Sequence, residues 1–151
     1  MTEQRKTAID KIQSEQYTFP YHYLPSVKEF PNFCKGWSFS ASYIAAINLF
    51  VDWLKTVKAT DSTQLHMDYG CGDGGFVYHI KNLRLFNNIE FWGIDFDNNA
   101  INWAKQFSQS ENFICGDVAN LSPSKYDSGS LIEVYEHIPP NECPNFLKNI
   151  A

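Results

Sequence analysis

The apolar positions change their period along the chain. Between Ser40 and Val57, Ile44, Ile47, Val51 and Leu54 recur every three or four residues, with Tyr43, Phe50 and Val57 beside them. That period predicts a core-facing helix, and Ser38 or Ser40 is placed to cap its start. After the polar break KATDSTQ, short apolar runs alternate with helical stretches. LHMDYG, IEFWGIDF and NFICGDV read as strands, and residues 126–135 hold a fourth, weaker one. GFVYHIKNLRLF and DNNAINWAKQFSQ read as helices, the second with Asp97 placed as its N-cap, and NECPNFLKNIA begins another. Strand and helix in alternation predict an α/β fold of βαβ units around a parallel sheet.

The N-terminal part follows neither period. Residues 1 to about 16 are polar and suit a helix or a frayed end. QYTFPYHYLPSVKEFPNF then brings three prolines and six aromatic rings. Proline disfavours helix in and before its position, so an irregular segment lying across the domain is expected. It reads as a structural belt, or as a lid with Tyr21, His22 or Tyr23 on a ligand. The chain divides into a cap segment and core helix at 1–60 and an α/β unit at 61–151, within one domain.

Composition narrows the partners. A chain of 151 residues can bury a real core. Its net charge of -5, with no cluster of Lys and Arg, argues against a nucleic-acid partner. The cysteines, Cys34, Cys71, Cys115 and Cys143, form no C-x-x-C pair. They read as free thiols of a reducing, cytoplasmic setting. MTEQRKTAIDKIQ lacks the apolar segment of a signal peptide. YIAAINLFVDWL is too short for a membrane span and is broken by Asn48 and Asp52, so no membrane partner is expected.

The chemistry gathers where the predicted strands end. In HMDYGCGDGGF, Gly70, Gly72 and Gly75 satisfy the G-x-G-x-x-G pattern of a dinucleotide loop. Yet Asp68 and Asp73 place negative charge where a pyrophosphate would sit. The second strand ends at Asp95 and Asp97, the third at Asp117, and the fourth runs into Glu133, Glu136 and His137. Open parallel sheets bind ligands at these carboxyl ends. Asp95 stands 25 residues after Gly70, near the spacing of an acid that accepts from both ribose hydroxyls. That suits NAD, FAD or any adenosine ligand. Asp68 discriminates among them. A buried carboxylate is costly unless it meets a donor or a cation; it repels a pyrophosphate and attracts an ammonium or sulfonium. S-adenosylmethionine, adenosine joined to a cationic amino acid without phosphate, fits the whole row.

MDYGCGDGG, FWGIDFD, FICGDV and LIEVYEHIPP, in that order, resemble the successive motifs of class I SAM-dependent methyltransferases over about residues 65–151. The resemblance implies a Rossmann-like parallel sheet of strand order 3-2-1-4 with flanking helices. It places the loop of Gly70, Cys71 and Gly72 against the methionine part of SAM, and Asp68 on its amino group. Asp95 would take the ribose diol, Phe96 would pack on the adenine, Asp117 would accept from the adenine amino group, and the Val118 amide would face the ring. EVYEH is similar to the EVLEH run of small-molecule methyltransferases, which makes His137 the first candidate base and Glu133 the second, with Glu133 also beside the cofactor. It is similar too to the metal-binding E-x-x-E-H of small-RNA 2′-O-methyltransferases, matched by Glu133, Glu136 and His137. No metal is expected here, because no sequence follows that could supply that family's further histidine.

The chain departs from the family pattern twice. Ser128, Gly129 and Ser130 replace branched apolar residues; both types are poor strand formers, so a late or irregular fourth strand is expected. The sequence also ends after the helix that follows, without the family's C-terminal strands. A truncated sheet with an exposed fourth strand is therefore expected, and three explanations compete: a fragment of a longer protein, which is preferred, a homodimer that covers that edge, or a degenerate remnant. The function implied is methyl transfer from SAM to a small-molecule acceptor by in-line displacement. The alternatives are a truncated, non-catalytic SAM- or SAH-binding module and, behind it, a metal-dependent RNA 2′-O-methyltransferase-like domain or an NAD-binding Rossmann domain.

Overall fold

The computed structural model describes residues 11–12, 14–15, 17–18, 34–56, 62–121 and 125–150. Its strands are β1 (Gln64–Tyr69), β2 (Ile89–Asp95), β3 (Phe113–Cys115) and β4 (Ser128–Ser130). All pair in parallel, in the order β3-β2-β1-β4. The helices are α1 (Cys34–Thr56), α2 (Gly75–Asn82), α3 (Asn98–Ser108) and α4 (Cys143–Ile150). The α/β class and the strand order 3-2-1-4 are as expected.

Alternation along β1 divides the core into two faces. Met67 and Tyr69 join Ile94 on one face, packed by Trp92, Ile114 and Ile150. The other face holds Phe91 and Phe113 under Phe76, Val77 and Ile80 of α2 and Ile101 and Ala104 of α3. Phe76, Val77 and Ile80 are at most 1% exposed, and burying a side chain of that size contributes about 2 kcal/mol. These contacts clamp both crossover helices onto the strands and so fix the loops at the strands' carboxyl ends.

Several expected boundaries move. α1 already runs at Cys34, so Ser38 and Ser40 lie inside it rather than at its cap. Its buried stripe is narrower than the period suggested: Val51 and Leu54 are buried, Ile47 and Phe50 pack against them, and Ile44 is 57% exposed. α2 stops at Asn82, where the Leu83 amide turns back to Ile80 at 3.2 Å and Arg84 adopts a φ of 53°. Phe86, expected in the helix, instead reaches the core from the loop. Asp97 does cap α3, accepting from the amides of Asn99 (2.8 Å) and Ala100 (3.0 Å), which satisfies two of the helix's otherwise unpartnered N–H groups.

The fourth strand is the largest revision. Ser128–Ser130 is the strand itself, in register with His66–Asp68 of β1, and Leu131 to Val134 lie beyond it. The residues that look wrong for a strand are the ones this site requires. A Cβ on Gly129 would stand 2.6 Å from the Tyr69 ring, while the two serines turn toward the polar side chains of β1.

Among the described residues the sheet has four strands, with β4 at one edge. No helix among them is long and apolar enough to cross a membrane. Lys11, Ile12, Ser14 and Glu15 are helical. Tyr21, His22 and Tyr23, proposed above as lid residues, lie outside the described residues.

Candidate functional site

The turn after β1 is built from backbone that only glycine adopts readily. Gly70, Gly72 and Gly74 have φ values of 73°, 53° and 79°, in the left-handed region. The third left-handed glycine of the turn is Gly74, while Gly75, third in the sequence pattern, is the buried first residue of α2. The amides of Gly70 and Cys71 both donate to the Ile94 carbonyl, at 2.8 and 3.0 Å. The Gly72 amide donates to Oδ2 of Asp95 at 2.9 Å, and the Asp97 amide to Oδ1 at 2.8 Å. One carboxylate therefore joins the glycine loop to the end of β2. The Gly116 amide donates to the Asp95 carbonyl at 2.9 Å, which brings in the end of β3 with Asp117 and Val118.

Asp68, Asp73 and Asp95 are buried around this loop. Burial pushes the Asp95 carboxyl up to about 6, against the hydrogen bonds from the Asp97 and Gly72 amides. The Cys71 thiol is pushed well above its usual value by burial and then by the charges of Asp95, Asp68 and Asp73. Cys71 turns its sulfur into the core, where a Cβ on Gly93 would meet it at 2.8 Å. Only its backbone belongs to the loop. Three carboxylates within reach of one thiol make the loop a place for positive charge and a poor one for phosphate.

Every expected cofactor residue lies at the carboxyl end of the sheet. Asp68 stands near the end of β1 and Gly70, Cys71 and Gly72 follow it, Asp95 ends β2 with Phe96 next, and Asp117 and Val118 follow β3. From the fourth side, Val134 sits on Gly70, where an added Cβ would meet its Cγ2 at 2.5 Å. Glu133 precedes it with a φ of 54°, rare for a residue with a side chain. Tyr135, Glu136 and His137 form one turn of 3₁₀ helix, and Glu133, Glu136 and His137 are all exposed. No three His, Cys, Asp or Glu side chains among the described residues converge as a metal site would require.

The structure adds residues that the sequence reading did not select. Trp103 Nε1 donates to the Tyr17 carbonyl at 3.0 Å, and the Ser14 hydroxyl donates to the Asp97 carboxylate. A Cβ on Gly72 would run into the Tyr17 hydroxyl. The N-terminal residues thus reach the mouth of the loop through Tyr17. His66, Ser128 and Ser130 join Asp68 in a buried hydrogen-bonded chain. A signal for that chain was present: polar residues two apart in LHMDYG and again in DSGS.

This arrangement can be set beside known proteins. A family model described as a methyltransferase domain matches residues 67–151, more than half of the chain. The chain belongs to the methyltransferase domain family. No curated protein matches this methyltransferase domain. Among solved structures, it is similar to magnesium protoporphyrin IX methyltransferase from Synechocystis PCC 6803 with bound SAM: TM-score 0.68 and 18% identity, over 89% of this chain and 63% of that one. It is also similar to a TehB-like SAM-dependent methyltransferase from Corynebacterium glutamicum, at TM-score 0.52 and 19% identity, over 78% of this chain and 62% of that one. A third is the plantazolicin methyltransferase BpumL in complex with a monoazolic desmethylPZN analog and SAH, at TM-score 0.54 and 22% identity, over 95% of this chain and 50% of that one. These likenesses establish the fold. The methyltransferase domain spans 63%, 62% and 50% of the lengths of these three proteins.

Proposed function

We propose that this domain binds S-adenosylmethionine at the carboxyl end of the sheet and supports transfer of its methyl group to a small-molecule acceptor. The observation that carries the reading is the meeting of Asp68, Asp73 and Asp95 around a glycine turn, which favours an adenosine ligand bearing positive charge over a pyrophosphate. Asp95 would accept from the ribose hydroxyls, since each carboxylate oxygen has a second lone pair beside the one its amide uses. Asp68 would face the amino group, with the backbone of Gly70, Cys71 and Gly72 along the methionine part. Phe96, Asp117 and Val118 would hold the adenine.

When bound, SAM supplies an electrophilic methyl group on sulfur. The chain's own contribution is to hold that group in line with the acceptor and to exclude water. A base is needed only for a weakly acidic acceptor. His137 is the first candidate, with Glu133 behind it and also near the cofactor. The free thiols Cys71, Cys115 and Cys143 fit a reducing, cytoplasmic setting. Among the described strands β4 stands at the sheet edge, where a second copy could pair to form a homodimer; a monomeric mass in sedimentation would remove that part.

Titration calorimetry with SAM, SAH and NAD tests the site. SAM and SAH should bind and NAD should not. NAD binding without SAM or SAH would overturn the reading. SAM binding with no methylated product in a cell extract would support a non-catalytic SAM-binding module instead.

A further inference from the structure

β4 carries a serine pair where an apolar strand would serve packing better, and its partner is a buried histidine. His66 is 0% exposed and lies between the rings of Phe50 (4.8 Å) and Phe91 (5.4 Å). Its polar atoms must find partners inside the protein. Nδ1 lies 2.9 Å from the Ser128 hydroxyl and Nε2 lies 3.0 Å from the Ser130 hydroxyl. Ser130 in turn donates to Oδ1 of Asp68 at 2.6 Å. The parallel register produces this alignment, because His66 pairs with Ser128 and Asp68 with Ser130.

The proton positions follow from counting. As a carboxylate, Asp68 can only accept, and Ser130 has one hydroxyl proton. That proton goes to Asp68, as the short O–H···O⁻ distance also indicates. Toward His66, Ser130 is then an acceptor, so Nε2 carries the imidazole proton. Nδ1 accepts from Ser128. Burial lowers the His66 pKa to about 4, so the ring is neutral, and all three hydrogen bonds point one way, from Ser128 to Asp68.

We propose that Ser130, oriented by His66, is a positioning residue that holds the Asp68 carboxylate for the cationic amino group of the cofactor. This rests on reading the site as one for S-adenosylmethionine. A serine hydroxyl free to rotate could give its proton elsewhere, whereas one that already accepts from Nε2–H has it aimed at Oδ1.

The test compares SAH with 5′-methylthioadenosine, which keeps the adenosine and thioether and lacks the amino acid. In calorimetry, Ser130→Ala should weaken SAH binding about tenfold, the order of one charge-assisted hydrogen bond. Methylthioadenosine affinity should not change, and Ser130→Thr, which keeps the hydroxyl, should restore SAH binding. A merely structural role would weaken both ligands together, and that result overturns the proposal. Wild-type protein that binds both ligands equally also overturns it while leaving an adenosine site in place. Wild-type protein that binds neither removes the site reading and the proposal together. Should Ser130→Ala not fold, nitrogen chemical shifts of His66 in the wild-type protein still decide. Protonation at Nε2 alone is expected, and protonation at Nδ1 overturns the assigned direction.

Discussion

The Gly72 amide and the Asp95 carboxylate, 23 residues apart, are joined by a hydrogen bond of 2.9 Å in the interior. The acid proposed for the ribose therefore also holds the loop proposed for the methionine part. Binding by ionised Asp95 should be pH-dependent, because burial pushes its carboxyl up to about 6. Ribose hydroxyls donate to the carboxylate form, so SAM affinity should fall about tenfold from pH 7 to pH 5 as that form is depleted. Asp95→Ala should weaken binding about tenfold or more at neutral pH, for the loss of one or two hydrogen bonds to a charged group. Calorimetry across that range checks both; affinity independent of pH in the wild-type protein would place the ribose elsewhere.

The same carboxyl and His66 act oppositely on folding. Asp95 binds its proton more tightly in the native state, so its contribution to stability is full below the ordinary carboxylate pKa and is lost as pH rises through about 6. His66, lowered to about 4 by burial, contributes fully above its ordinary value of 6.5 and loses that contribution as pH falls through about 4. Each effect is on the order of 3 kcal/mol at full extent, and their windows overlap, so they oppose each other in the wild-type protein. Asp95→Asn should lose stability on acidification across this window, and His66→Gln should gain it. Urea denaturation at several pH values measures the slopes; variants with the wild-type slope would contradict the assignment.

The strands β1 and β2 and their crossover helices were legible because each element declares itself locally, by period and by cap; the strand order was legible only through the family that the motifs resemble. β4 was not. Its local sequence argues against a strand, and the apolar run LIEV draws the prediction downstream. What decides is across the sheet: His66 and Asp68 give the serines partners, and Tyr69 needs the missing side chain of Gly129. Tertiary context overrides strand propensity here. The acids at the strand ends were legible as a row, and the structure adds how Asp95 is shared between two amides. Tyr17 was beyond reach, since nothing in its neighbourhood of the sequence points to Gly72 or Trp103.

That contact predicts coupling. Ala at position 72 would adopt a left-handed backbone at about 1 kcal/mol and would also strike the Tyr17 hydroxyl. In a Tyr17→Ala background the second cost disappears. A double-mutant cycle on unfolding free energy should give a coupling of about 0.5–1 kcal/mol, limited because the Tyr17 hydroxyl ends a side chain that can turn aside, the double variant being more stable than the sum of the singles. Strict additivity would mean that Tyr17 does not rest on this loop.

Gly74 and Gly116 offer a matched pair for the loop itself. At Gly74, φ is 79°, and a Cβ would lie 2.8 Å from the Ala104 Cβ, 3.0 Å from the Phe113 ring and 3.1 Å from the Ala104 backbone. The backbone of α3 cannot yield as a flexible side-chain end would, so strain and overpacking add. Gly74→Ala should lose about 2–4 kcal/mol of stability. Gly116, beside Asp117 at the end of β3, leaves room: the nearest atoms are Ile94 Cδ1 at 3.7 Å and Ile114 Cγ2 at 3.9 Å. Gly116→Ala should stay within about 0.5 kcal/mol of the wild-type protein, and the restriction it places on the unfolded chain even favours folding. Denaturation midpoints compare the two directly. Equal losses would show that glycine matters in these loops for general flexibility, and not for the packing of α3 and β3 against the turn that follows Asp68.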